Sequence, residues 1–309
     1  MKRLIVTVLA SAFCLNLTVN AQTYRHISGW SQDVNDQIEG FLNSTITMNI
    51  RKVAVFDSDG TTFGQVPYYL ADEALYRYAD EVLKERKDRE AKEKLKILER
   101  MVKDGNNVGK PYVENRIHFL AGLTPGEIEM IGYECYRESY SSKTYPEMKQ
   151  LVANLKEYGF EVYILTASPE FLYQKFVSEE YGIPVTNVVG AKCVVKDGVT
   201  TGEIIPPLPQ DDGKAHTIET FIKARPLIVG GNSRGDMDML NESAGLKIVV
   251  NPDDVTVRGP EDGPMSGYTV KAYWEKEGAL IVRCNDVRDP KVRFHTEEWK
   301  IRENRANPK

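Results

Sequence analysis

The sequence predicts an α/β protein in which a doubly wound parallel sheet carries an inserted all-helical cap. Two observations support this fold class. Short apolar runs, typical of strands buried on both faces, alternate with amphipathic helical segments. The segment after the first apolar run, residues 67–144, has helical patterns only. The chain has 309 residues, enough to bury one large core with an insert.

The apolar runs place the predicted strands at 52–56, 161–165, 185–189, 226–229 and 246–250, with a hairpin over 192–205 around Asp197-Gly198. Amphipathic patterns predict core helices over 33–42, 148–158, 169–181 and 214–224. These elements alternate along the chain outside the helical insert. Residues 22–66 and 145–251 therefore form the predicted core domain.

The predicted cap, residues 67–144, is dense in helix formers from Tyr68 to Val102 and again from Val113 to Glu138. Thr124 followed by Pro125 marks the start of another helix. Charges of both signs over residues 84–96 occur at helical spacing, which indicates a solvated helix face.

Both ends of the chain differ from the predicted core. Lys2 and Arg3, an apolar stretch and the small residue Ala21 predict a signal peptide over 1–21. We therefore expect secretion across the inner membrane, a periplasmic location in a Gram-negative cell, and no stable membrane insertion. Residues 252–309 predict a polar extension of loops with a strand at 279–284 and a frayed basic tail.

Charge and cysteine content limit the class of protein. The net charge of −5 argues against nucleic-acid binding, which requires a basic face. Beyond the signal segment, Cys135, Cys193 and Cys284 allow either one disulfide with one thiol, or three thiols in apolar surroundings.

Four polar clusters follow the predicted strands or begin a helix: Asp57-Ser-Asp59-Gly-Thr61, Thr166-Ala-Ser168, Lys214, and Asn232-Ser-Arg-Gly-Asp236. The carboxyl ends of neighbouring parallel strands meet at one crevice, so we expect these clusters to converge. Together they supply a nucleophile, a proton carrier, hydroxyl donors, a cation and oxygen ligands for a hard metal. Phosphoryl transfer requires such a set, because its catalysis is mainly positioning and charge stabilisation.

In this order, the motifs resemble those of the haloacid dehalogenase superfamily, in the phosphoserine-phosphatase-like branch with a helical C1-type cap. The resemblance covers about residues 50–251 and implies the Rossmann-like core of that superfamily. Residues 114–123 resemble the branch's cap helix, and residues 196–203 resemble its hairpin. The implied activity is hydrolysis of small phosphate monoesters through an aspartyl-phosphate intermediate.

The resemblance implies a role for each motif residue. Asp57 would be the nucleophile and Asp59 the general acid/base. Thr166 would hold a phosphoryl oxygen, and Lys214 would pair with the nucleophile and the phosphate. The implied substrate-binding residues are Gly60, Thr61, Ala167, Ser168 and Arg116. Mg²⁺ would be bound by Asp57, the backbone carbonyl of Asp59, Asn232 and Asp236.

Two departures from the branch pattern bear on metal and substrate. Asn232 stands where the branch usually has aspartate, which implies weaker Mg²⁺ binding; Asp236 matches the next aspartate better than Asp238 does. The glutamate that binds the amino group of phosphoserine would fall at Val66, whereas the carboxylate-binding arginine is retained as Arg116. Phosphoserine is therefore disfavoured as the substrate.

Several alternatives remain open from the sequence. Ser168 is equally compatible with capping the next helix. The tyrosines at 68, 69, 133, 136 and 140 favour packing within the cap over a cation box for phosphocholine. The alternative enzymes are a phosphocholine or phosphoethanolamine phosphatase and a phosphotransferase. A catalytically silent protein that binds a phosphate ligand is the alternative of another class.

Overall fold

The computed structural model describes residues 22–104, 109–253 and 260–305, so the predicted signal peptide lies outside the described residues. Seven strands form one sheet. They are β1 (Val53–Phe56), β2 (Glu161–Pro169), β3 (Val188–Lys196), β4 (Val199–Ile205), β5 (Ile228–Gly231), β6 (Leu246–Val250) and β7 (Leu280–Val282). Their order is β4-β3-β2-β1-β5-β6-β7, and every pair except β3–β4 is parallel. The predicted α/β fold class is confirmed.

β1 lies at the centre of the sheet and is buried along its whole length. Phe56 is in register with Ile164 on one side and Gly230 on the other. A Cβ on Gly230 would lie 2.5 Å from the Phe56 ring, so only glycine fits at that position. The residue after Phe56 therefore emerges at the middle of the carboxyl edge of the sheet.

Ten α-helices cover the faces of the sheet and form the insert within the described residues. They are α1 (Gln32–Ser44), α2 (Leu70–Tyr78), α3 (Arg89–Asp104), α4 (Lys110–Leu120), α5 (Pro125–Cys135), α6 (Pro146–Glu157), α7 (Glu170–Tyr181), α8 (Asp212–Thr217), α9 (Met237–Asn241) and α10 (Val270–Lys276). π-helical turns at Ala79–Leu83, Tyr136–Tyr140 and Ile218–Ile222 prolong α2, α5 and α8. No helix in the described ranges is long and apolar enough to cross a membrane.

The third strand differs from its prediction. Residues Val185–Asn187 form a 3₁₀ turn after Pro184, and the strand begins only at Val188. The Asn187 side chain donates to the carbonyl of Val162, which fixes this turn against β2. β3 then continues without a break into the hairpin with β4, so the predicted strand and the predicted hairpin arm are one element.

The insert packs against the core helix α7 through α5. A Cβ on Gly132 of α5 would lie 1.9 Å from the carbonyl oxygen of Leu172, so the two backbones touch. At the end of α5 the ring of Tyr136 stacks on Phe176, with centroids 4.4 Å apart. This face of the insert is therefore seated directly on the core.

The prediction of a frayed basic tail is wrong for the described part of the extension. β7 forms where the strand was predicted, and the chain then returns to the insert. Glu73 of α2 accepts hydrogen bonds from the backbone amides of His295 and Thr296, at 2.8 and 3.0 Å. The Trp299 indole donates to Asp80 at 3.1 Å. Buried acceptors on α2 and its π-helical turn hold this segment in place.

The extension also ties together the two connections between core and insert. Asp286 accepts from the amide of Gln65 at 2.9 Å and from Lys143 Nζ at 2.7 Å. Gln65 lies just before the insert and Lys143 just after its helices. A Cβ on Gly64 would lie 2.2 Å from Asp286 Oδ1, so glycine is needed for this close approach. We call Lys143 and Asp286 the hinge pair.

The three cysteines beyond the predicted signal peptide all lie within the described residues. Cys135 and Cys284 are buried, Cys193 is half-buried, and none of the three forms a disulfide. Of the two alternatives that the sequence left open, the structure shows three thiols.

Candidate active site

A cavity of about 450 Å³ opens at the carboxyl edge of the sheet, facing the insert. Its volume lies within the usual range for small-ligand sites. Eight of the residues predicted for the site line it: Asp57, Asp59, Arg116, Thr166, Ala167, Ser168, Lys214 and Asn232. Eight further residues line it: Ser233, Arg234 and Gly235 from the last polar cluster, Tyr69 from the tyrosines weighed as a cation box, and four that were not predicted, Gln65, Gly109, Gln210 and Asp211. The four motifs therefore converge as expected from the sheet topology.

Asp57 directly follows β1, and its amide donates to the carbonyl of Gly230 at 2.9 Å. One carboxylate oxygen accepts from Lys214 Nζ at 2.6 Å, and the other lies 3.3 Å from the Thr61 hydroxyl, which donates to it. Burial raises the pKa of Asp57 to about 7, while the charge of Lys214 opposes the shift and Asp236 adds to it. The carboxylate is thus fixed in one orientation.

Lys214 lies between two carboxylates, 2.6 Å from Asp57 and 2.5 Å from Asp236. Burial acts to lower the pKa of Lys214, but the charges of Asp236 and Asp57 outweigh it and raise this pKa above its usual value. Lys214 is therefore a permanent cation on the cavity wall.

Asp236 is buried and is already engaged on both oxygens. Oδ1 accepts from Lys214, and Oδ2 accepts from the amides of Asn232 and Ser233, each at 2.9 Å. Burial acts to raise the pKa of Asp236, but Lys214 and these two amides together lower it. In this cluster Asn232, not Asp236, presents its side chain to the cavity. Asp238 is half-buried and is not among the lining residues.

Asp59 shares the cavity with Asp57 and is held by a residue that the sequence did not reveal. The Tyr173 hydroxyl lies 3.0 and 2.8 Å from its two carboxylate oxygens. Burial raises the pKa of Asp59 to about 6, against the hydrogen bond from Tyr173 and the charge of Arg116. A pKa near neutrality suits a group that must both give and take a proton.

Thr166 and Ser168 are buried at the carboxyl end of β2, and both line the cavity. The Ser168 amide donates to the Thr166 hydroxyl at 3.1 Å, which orients that side chain. α7 begins after Pro169 with no side-chain capping bond, so Ser168 does not cap it. The capping alternative for Ser168 is wrong, and its contact with phosphate remains a prediction.

Gly60 and Thr61 are buried behind the cavity rather than in its lining. Gly60 has a φ of 80°, and a Cβ there would lie 2.1 Å from Asn232 Nδ2. Only glycine allows that approach of the Asn232 side chain. Thr61 orients Asp57 through its hydroxyl. Both residues therefore support the site from behind, whereas direct contact with substrate was expected.

Arg116 lines the cavity from α4, although its guanidinium is buried. Nε and Nη2 donate to Asp72 Oδ1 at 2.9 and 2.7 Å, and the guanidinium carbon lies 5.0 Å from the centroid of the Tyr112 ring. Arg116 is therefore no ordinary surface residue. Val66, at the position of the missing glutamate, is buried outside the lining, whereas its neighbour Gln65 faces the cavity.

The tyrosines of the insert do not form a cation box. Of the five, only Tyr69 lines the cavity. Tyr68 and Tyr140 pack edge-on against Phe294, and Tyr136 stacks on Phe176. Tyr68, Tyr136 and Tyr140 therefore pack, as the sequence favoured, but against rings outside the insert rather than within it.

The donor set near Asp57 fits Mg²⁺. It consists of the Asp57 carboxylate and the Asn232 amide, with the Asp59 carbonyl as the third expected ligand; Asp236, also expected to bind the metal, is buried and engaged on both oxygens. Within the described residues, no group of three or more His, Cys, Asp or Glu side chains could hold a metal by itself. Mg²⁺ commonly takes one or two carboxylates and leaves its other positions to water and substrate phosphate. A site with one carboxylate and neutral oxygens therefore suits a metal that is completed by its substrate.

Comparison with known proteins identifies the class. Residues 54–241, more than half of the chain, match the family of haloacid dehalogenase-like hydrolases, so the chain belongs to this family. Phosphoserine phosphatase SerB1 of Mycobacterium tuberculosis is 24% identical over 140 residues, which are 44% of this chain and 44% of that protein. The chain thus matches less than half the length of this curated relative.

Two solved structures share the fold. A protein of unknown function from Bordetella pertussis aligns with a TM-score of 0.57 at 17% identity, over 76% of this chain and 99% of that one. Cytosolic 5′-nucleotidase IIIB bound to cytidine aligns with a TM-score of 0.50 at 16% identity, over 84% and 88% of the two chains. Both alignments show a fold shared over most of each chain.

Proposed function

We propose that this hydrolase is a Mg²⁺-dependent phosphomonoesterase that acts on small phosphate esters through an aspartyl-phosphate. One observation carries the proposal: a single cavity holds Asp57, 2.6 Å from the cation of Lys214, together with Asp59. A nucleophile, a proton carrier and a fixed positive charge are the minimum that such a reaction requires.

In the first step an Asp57 oxygen attacks phosphorus, and the bond from phosphorus to the ester oxygen breaks as the new bond forms. Lys214 offsets the charge of the nucleophile and of the phosphoryl oxygens. Thr166 and Ser168, which also line the cavity, supply hydrogen bonds to those oxygens. Bound Mg²⁺ would reduce the repulsion between the carboxylate and the phosphate.

Asp59 handles the protons of both steps. It gives its proton to the departing alkoxide and then takes one from the water that hydrolyses the aspartyl-phosphate. The phosphate leaves, and both carboxylates return to their starting state. Both aspartates line the cavity, which supports catalysis over the alternative of a catalytically silent binding protein. That alternative is suggested only by Asn232, which stands where the branch has aspartate.

The cavity favours a small, anionic substrate. Arg234 adds a cationic side chain to the lining that includes Lys214, and Arg116 adds another that is already paired with Asp72. Among the alternative enzymes, a phosphocholine phosphatase would have to bind a quaternary ammonium beside these cations without an aromatic cage. Nothing in the lining favours phosphoethanolamine hydrolysis or transfer to an alcohol over hydrolysis of an anionic ester.

We also propose that the protein works outside the cytoplasm, in the periplasm of a Gram-negative cell. The charged start and apolar stretch of residues 1–21 support this location. A fusion of residues 1–30 to alkaline phosphatase tests this location. Export would give alkaline phosphatase activity in the periplasmic fraction, and the absence of that activity would contradict the proposal.

The central test measures hydrolysis of p-nitrophenyl phosphate by the purified protein with Mg²⁺, and then with EDTA. We expect turnover that EDTA abolishes and Mg²⁺ restores.

Asp57→Asn should abolish this turnover, whereas Asp238→Asn, a matched change outside the cavity, should not. Absence of turnover with any divalent metal would refute the proposal, and an active Asp57→Asn would refute the nucleophile. Sugar phosphates, phosphoserine, phosphocholine and phosphoethanolamine then define the substrate.

A further inference from the structure

We propose that Tyr173 is the positioning residue for the general acid/base: its hydroxyl sets the orientation of Asp59 toward the leaving oxygen. The inference rests on the proposed phosphatase function. It assigns a task to a residue that none of the four motifs contains and that does not line the cavity.

The Tyr173 hydroxyl is held in one orientation. It lies 2.8 Å from Asp59 Oδ2 and 3.0 Å from Oδ1, so its proton points between the two oxygens. It also accepts from the amide of Ala71 at 3.2 Å, which leaves the hydroxyl proton directed at Asp59. An acceptor and a donor on opposite sides fix the rotation of the O–H bond.

The Tyr173 ring is also fixed by its surroundings. Tyr173 is fully buried in α7, and its ring packs against Phe63 and Phe176, with centroids 6.2 and 5.4 Å away. The ring therefore cannot follow Asp59 if that side chain turns. A fixed donor defines the carboxylate plane, as preorganised hydrogen bonds do in active sites.

Tyr173 also connects Asp59 to the insert. Ala71 belongs to the first turn of α2, the helix that opens the insert. The Leu70 amide beside it also hydrogen-bonds Asp59. Core helix α7, the proton carrier and the first insert helix thus meet at one hydroxyl.

Loss of the hydroxyl should affect only the steps that need the proton of Asp59 in place. An alkyl phosphate such as β-glycerol phosphate leaves as a poor alkoxide that must be protonated. p-Nitrophenyl phosphate releases a stable phenolate that needs little protonation. The ratio kcat/KM covers only the steps through phosphorylation of Asp57, so later attack by water does not obscure the comparison.

The experiment compares Tyr173→Phe with Tyr181→Phe. Tyr181 lies in the same helix, is buried, and donates its hydroxyl to the carbonyl of Thr62, away from Asp59. We expect Tyr173→Phe to lower kcat/KM for β-glycerol phosphate about tenfold or more while changing that for p-nitrophenyl phosphate much less. Tyr181→Phe should not lower kcat/KM for one of these substrates more than for the other. Rates are normalised to the folded fraction, measured by near-ultraviolet circular dichroism.

An equal loss on both substrates, or the same pattern in both variants, would overturn the positioning role. That outcome is distinct from failure of the proposed function, in which the unmodified protein hydrolyses neither substrate.

Discussion

Two buried lysines in this protein make similar ion pairs and serve different ends. Lys214 at the cavity lies 2.6 Å from Asp57, and Lys143 in the hinge pair lies 2.7 Å from Asp286. The Lys143 ammonium also donates to the carbonyl of Val287, and Asp286 accepts two backbone amides from the connection into the insert. The hinge pair is thus satisfied entirely within the protein, whereas Asp57 and Lys214 face a cavity.

The difference shows how one chemical pairing can serve structure or function. A buried ion pair costs desolvation, which is recovered only when hydrogen bonds satisfy both groups. At the hinge pair the backbone does this. At the cavity Lys214 faces two carboxylates, and a bound metal ion would offset the excess negative charge before a phosphate can bind. The cavity cluster is therefore expected to respond to ligands, and the hinge pair is not.

The largest expected effect is that of Lys214→Met on activity. Removing the cation should lower kcat/KM for p-nitrophenyl phosphate by about 10²- to 10³-fold, because a preorganised charge at the phosphoryl group is lost. Lys143→Met should keep most of the activity of its folded fraction. Near-normal rates for Lys214→Met would show that the cavity lysine is structural, like its counterpart in the hinge pair.

Lys143→Met, in the ion pair that binds no ligand, should have its main effect on stability. It leaves Asp286 buried without its cation, which we expect to cost about 3 kcal/mol in the free energy of unfolding by urea. The matched control is Lys149→Met, whose pair with Glu180 is exposed and should contribute less than about 1 kcal/mol. Equal losses in the two variants would mean that the hinge pair adds nothing beyond a surface pair.

Asn232→Asp sharpens the comparison at the cavity, with the smallest expected effect. A carboxylate at position 232 should repel the Asp57 carboxylate when no metal is bound. With Mg²⁺ present, it should tighten metal binding about tenfold, or by 1.4 kcal/mol. The rise of the thermal midpoint with Mg²⁺ concentration measures this without any turnover. An unchanged Mg²⁺ dependence would indicate that residue 232 does not face the metal.

The parts of the fold that were predictable are those with short-range patterns. The apolar run into Asp57, the hairpin at Asp197-Gly198 and the helix start at Thr124 each reveal their structure within a few residues. The convergence of Asp57, Thr166 and Asn232 followed from sheet topology, whereas Lys214, on a helix, was assigned from the order and spacing of the motifs.

What the sequence could not reveal depends on contacts between distant residues. Glu73 and Thr296 are separated by 223 positions, and no local pattern marks either as a partner of the other. Tyr173 looks like any aromatic residue on a buried helix face. Gln65 and Tyr69 lie beside motif positions but enter the cavity only because the insert folds back over the sheet.

The hinge pair has a consequence for the order of folding. Asp286 joins Gln65, 221 positions earlier, to the chain on the far side of the insert. A chain still under synthesis lacks Asp286 and Thr296 when the core strands of residues 53–250 have already been made. Those strands can pair before residues 286–296 are available, but the insert cannot yet be fastened over them. We therefore expect the site to be completed only after residues 286–296 have left the ribosome.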